Sequence, residues 1–172
     1  MEPGLLIASP QMHDTNFNRT VILLAHHGPQ GALGVVINRA HEVRFSDILQ
    51  DLPPEIARQA VLWGGPVEPG AGFVVFRGEG AEGWAVPGGV TVSASRERLE
   101  ELIAARAEFL LCLGYAGWGP GQLDEEFARG SWVYTEATPD LLFGAALEDR
   151  YERALAGIGV TSRDLWMSPV DE

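Results

Sequence analysis

Residues 19–38 read RTVILLAHHGPQGALGVVIN. Two aliphatic, β-branched runs flank His27-Gly28-Pro29-Gln30-Gly31, a segment of turn formers. Branched side chains suit a pleated strand, and glycine with proline supplies the reversal. The pattern predicts an antiparallel hairpin, with strands over 19–27 and 32–38 joined by a longer loop. The first run reads as a buried strand, so the rest of the chain has to cover it.

The remaining segments supply that cover. Leu5–Ala8, 60–63, 72–77, 84–86, 90–93, 109–113 and 131–135 read as short strands. Phe45–Leu52 reads as a helix with Ser46 as N-cap, stopped by Pro53-Pro54. Ser95 caps a helix running to Arg106, with Leu99, Leu102 and Ile103 on one face. A further helix is expected over Pro120–Arg129, closed by Gly130. Leu147, Tyr151, Ala154 and Ile158 mark a last helical face. Strands outnumber helices in the first half, and regular βαβ alternation is missing. The chain therefore reads as α+β, a single domain over 1–172 with mainly antiparallel pairing, its end frayed from about residue 167. A length of 172 residues suits one domain.

Charge narrows the partners. All 12 basic residues are arginine, and the net charge is −12. Having no lysine removes phosphate-loop, Schiff-base and Ser–Lys chemistry. The acidic total opposes nucleic acid and anionic membranes. No apolar run is long enough for a membrane span. The start, MEPGLLIASP, has no basic region and too short an apolar run for a signal peptide, so a cytoplasmic location is expected. The lone Cys112 sits between leucines in a strand and is expected to be buried and inert.

No metal site is expected, since CxxC, HxH and HExxH spacings are missing, and no cofactor is implied. His26 and His27 are adjacent on a strand and point to opposite faces. Asp14, Asn18 and Arg19 precede the first long strand, and Asn38 and Arg39 end its partner. The pairing puts Arg19 and Arg39 at one end of the hairpin, beside the loop 10–18. This is either a polar surface site or a loop satisfied by its own Asx-type turns, the commoner arrangement. Trp63-Gly64-Gly65-Pro66 is a corner where a backbone comes close, more often another strand than a ligand.

The segment CLGYAGWGPGQLDEE, 112–126, raises the question of an anion cradle. With Gly119 as N-cap, Gln122 can reach back to the Gly119 N–H, and Asp124, Glu125 and Glu126 would repel an anion. The stretch reads as a corner between strand and helix, with Tyr115 and Trp118 as packing. Leu123 and Phe127 are expected to face the core, and Glu125 and Arg129 to pair outside. Glu126 falls at the edge of the core and is the best candidate for a functional carboxylate, or else a structural boundary glutamate.

In order, PQMHDTNFNRTVILL, HHGPQGALGVVINRA, LWGGPV, LGYAGWGPGQLDEEF and SWVY resemble the YqgE/AlgH family of uncharacterised bacterial proteins. The resemblance runs from Leu6 to about Leu155. It implies an α+β fold with coiled, strongly bent sheets and flanking helices, and no particular reaction. Some members bear the label of transcriptional regulator. The family pattern puts weight on Asp14, Arg19, His27, Asn38, Gln122 and Glu126, and on the glycines and tryptophans of these motifs. The chain departs from it at Gly130-Ser131 and in the glycine-rich segment 78–90.

Three functions are open at this stage. The first is a non-catalytic binding or regulatory module, for a small polar ligand or a protein partner, with a groove formed by Asp14, Asn18, Arg19, Asn38, Gln122 and Glu126. The second is a hydrolase using Glu126 or Asp14 as general base. The third is a transcriptional regulator, with direct DNA binding disfavoured by charge and by the lack of a helix-turn-helix signature.

Overall fold

A computed structural model of the chain describes residues 1–10, 17–78 and 82–158. The expected hairpin is present as β2 (Val21–Gly28) and β3 (Gly31–Val36), with Ile22 opposite Val36 and Gly28 opposite Gly31. β1 (Gly4–Ala8) pairs antiparallel with β2 and with β9 (Trp132–Thr135). Farther along lie β4 (Leu62–Trp63), β5 (Val67–Arg77), β6 (Trp84–Val86), β7 (Val90–Ser93) and β8 (Phe109–Trp118). Together they form a nine-stranded sheet in the order β6-β7-β5-β8-β3-β2-β1-β9, with β4 alongside β8. The β4–β8 pair is parallel; the other pairs are antiparallel.

Strand β8 joins two halves of this sheet. Its first part pairs with β5, from Phe109 to Leu113, and its last part with β3, from Ala116 to Trp118. The sheet bends back on itself, bringing β6 against β2. Alternate side chains of both halves then fill one central core: Leu5, Ile7, Leu23 and Val35 from one half, Phe73, Val75, Leu110 and Cys112 from the other. Burying such side chains supplies the main driving force for folding.

The outer faces carry separate covers. Outside β5 and β8 lie three short helices, α1 (Phe45–Ile48), α2 (Pro54–Ala57) and α3 (Arg96–Ala104), over Val74, Phe76, Phe109 and Leu111. Outside β1–β3 lies α4 (Gln122–Ala128), whose Leu123 packs with Leu6, Ile22, Leu24 and Val36. Helix α5 (Arg150–Ala156) buries Tyr151, Ala154 and Leu155 in the central core. Among the described residues no helix is long and apolar enough to cross a membrane.

Glycine makes the strand exchange possible. Before Gly114, even-numbered residues of β8 face the central core; after it, Tyr115 does so while Ala116 and Trp118 face outward. Gly114 has φ +80°, a conformation that costs other residues, and the alternation of β8 reverses there, opposite the place where the register with β5 shifts between Val67 and Gly72. Here β8 also meets the Trp63-Gly64-Gly65 corner. A Cβ on Gly65 would lie 2.2 Å from the Tyr115 carbonyl, and one on Gly114 would lie 2.3 Å from the Gly65 oxygen. The close partner of the glycine pair is thus a strand.

Several local expectations need correction. Residues 114–118 continue the strand rather than turning a corner. The first helix ends at Ile48, and its N-cap is Arg44, whose N–H bonds the Asp47 carboxylate at 2.9 Å, not Ser46. Ser95 does cap α3: its Oγ accepts the Arg98 N–H at 3.1 Å.

Candidate functional site

Helix α4 and the strands around it hold the polar groups expected on its flank. The turn before α4 closes as its sequence suggests, with Gln122 Oε1 accepting the Gly119 N–H at 3.0 Å. Gly121, with φ +73°, is the N-cap, so the helix begins at Gln122. At the other end Gly130 has φ +81°. Its N–H bonds Phe127 O and the Ser131 N–H bonds Glu126 O, the paired bonds of a Schellman cap.

Between these caps Glu126 is held by three donors from three elements. Oε1 accepts the indole N–H of Trp118 at 3.0 Å and that of Trp132 at 2.9 Å, while Oε2 accepts Gln122 Nε2 at 3.0 Å. The two indoles meet edge to face, 6.0 Å between centroids, and Phe17 packs against Trp132 at 6.1 Å. Trp118 and Trp132 are buried. Buried indole N–H groups need an acceptor, and one carboxylate oxygen serves both.

His27 joins the same side. A bulge between Leu24 and His26 reverses the alternation of β2, which turns His27 toward α4. There its Nε2 lies 3.1 Å from Asp124 Oδ1. His26 stays on the opposite face, beside a cleft that includes Leu33, Val67 and Tyr115. Phe127 is not in the core; it is 40% exposed on the outer side of α4. Glu125 and Arg129 form no ion pair among the described residues.

Asn18, Arg19 and Asn38 lie at the open end of the hairpin. Asn38 Oδ1 accepts the Val21 N–H and its Nδ2 donates to Arg19 O, both at 2.9 Å. Arg39 donates to Asn18 O at 2.9 Å and to Asn18 Oδ1 at 3.0 Å, and stacks over Trp63. Arg19, at φ +55°, reaches toward α5: its guanidinium lies 4.4 Å from the Tyr151 ring and bonds Glu152 at 3.2 Å. Tyr151 belongs to the central core, so this arginine points away from the Glu126 side. Asp14 lies outside the described residues. The structure therefore groups His27, Gln122 and Glu126 on α4's side, and Asn18, Arg19 and Asn38 around the hairpin's open end.

Sequence reasoning passed over a third place. Arg150, the first residue of α5, is 6% exposed and reaches back across the core to donate through Nη1 to Ile37 O. Burial lowers its pKa, and its Nε is buried with no acceptor among the described residues. It borders a cavity of about 360 Å³. The signal available was its place one residue before Tyr151 on an apolar helical face. Burial also pushes the Cys112 thiol up to about 12, against the opposing effect of Arg150's charge. Among the described residues no group of three or more His, Cys, Asp or Glu is arranged to hold a metal.

Comparison with known proteins supplies the family. The profile described as DUF179, AlgH-like, matches residues 5–163. A UPF0301 protein of Myxococcus xanthus is 39% identical, over 93% of this chain and 92% of the relative. One from Anaeromyxobacter sp. strain K is 38% identical, over 93% and 89%. The solution structure of the AlgH protein from Pseudomonas aeruginosa superposes with a TM-score of 0.75 at 33% identity, covering 99% of this chain and 95% of that one. A crystal structure from Corynebacterium diphtheriae, 22% identical, shares the fold with a TM-score of 0.74, over 91% and 87%.

Proposed function

The chain belongs to the AlgH-like family of uncharacterised UPF0301 proteins, and from that membership and the geometry around α4 we propose that it works as a non-catalytic binding module of the cytoplasm. The observation that carries this reading is the carboxylate of Glu126, which receives three N–H donors from β8, α4 and β9. A general base needs a lone pair turned toward its substrate. Glu126 instead turns Oε1 to the two buried indoles and Oε2 to Gln122, and so fixes the shape of the surface that α4 presents. That surface combines the exposed ring of Phe127 with the His27–Asp124 pair and suits a protein partner or small polar ligand better than a reaction. The acidic total, −12, argues against nucleic acid as that partner and leaves a regulatory role to operate through protein or ligand contacts.

The test is a ligand and partner screen by amide NMR on the full chain, beside hydrolysis assays with ester, phosphoester and peptide substrates. Binding that shifts α4 amides and is lost in Phe127→Ser supports the module. Turnover present in the native chain and absent in Glu126→Gln would replace it with the hydrolase, as would turnover lost in Asp14→Asn.

A further inference from the structure

We draw no further inference here: the strongest candidate, the apolar groove on the outer face of β5 and β8 that is lined by Ile48 of α1, Leu99 of α3 and Val74, Leu111 and Leu113 of the sheet, is an unpartnered apolar face, and nothing in the structure shows what covers it.

Discussion

Trp118 and Trp132 donate their indole N–H groups to the same oxygen, Oε1 of Glu126, from two strands that do not pair with each other. Glu126→Ala would leave two buried donors without an acceptor. The expected loss of unfolding free energy is about 2–3 kcal/mol, with tryptophan emission shifted to the red. Glu126→Gln keeps an accepting oxygen and is expected to cost about 1 kcal/mol. Urea titrations followed by fluorescence measure both, and equal losses in the two variants would contradict the shared-acceptor account.

Asn38 closes the open end of the hairpin by accepting from Val21 and donating to Arg19. In Asn38→Ala both bonds go, and the expected cost is about 1–3 kcal/mol. Asn38→Asp keeps the acceptor and loses the donor, so it falls between. Amide exchange locates the effect: Val21 exchanges faster in Asn38→Ala, with little change in Asn38→Asp.

Gly65→Ala sets a methyl 2.2 Å from the Tyr115 carbonyl, on a residue whose φ is +151°. Neither clash nor backbone can relax without moving β8. A loss above about 3 kcal/mol is expected, enough to leave little folded chain. Gly70→Ala is the control, because a Cβ there meets nothing within 4 Å. Circular dichroism melts of the two variants decide it, and similar melting temperatures would refute the close approach.

Burial pushes the Cys112 thiol from 9.0 to about 12. Its folded pKa lies above its unfolded one, so the native state holds the proton more tightly. The associated stability is intact below about pH 9 and is lost progressively as pH rises toward 12. From one group the expected slope is about 1.4 kcal/mol per pH unit. Tyr115, Tyr134 and Tyr151 are also raised by burial and act in the same direction, from about pH 10 upward. Urea stability at pH 8, 9 and 10 isolates the thiol: the decline between 9 and 10 flattens in Cys112→Ala. An identical decline in the variant would show that another group titrates.

Local chemistry was readable in the sequence wherever neighbouring residues decide the outcome. The hairpin, the Ser95 cap, the Gln122 bond to Gly119 and the glycine stop at Gly130 each depend on a few adjacent positions. Gly64-Gly65 was readable as a close approach for the same reason, since only lost side chains permit it. What escaped depends on distant partners. Four glycines in 112–126 look like a turn, yet Gly114 serves to reverse a strand's alternation where β8 changes neighbours. Phe127 has core periodicity with Leu123, but seven-residue α4 covers too little sheet for both to be buried. Arg150 looks like any surface arginine until Ile37, well over a hundred positions away, is seen to need a donor. The polar residues flanking the hairpin divided between places because Arg19 turns to α5 while Glu126 turns to the tryptophans.

Strand β8 has one consequence for how the molecule comes apart. A single stretch of ten residues supplies partners to β3, β4 and β5. Peeling it away would strip hydrogen bonds from both halves in one event and open the shared core between them. The protein therefore has no seam along which half could melt while half persists, and heat or denaturant should meet a single cooperative unit. A chain cut just ahead of Phe109 would be left with strands on either side waiting for the same missing segment.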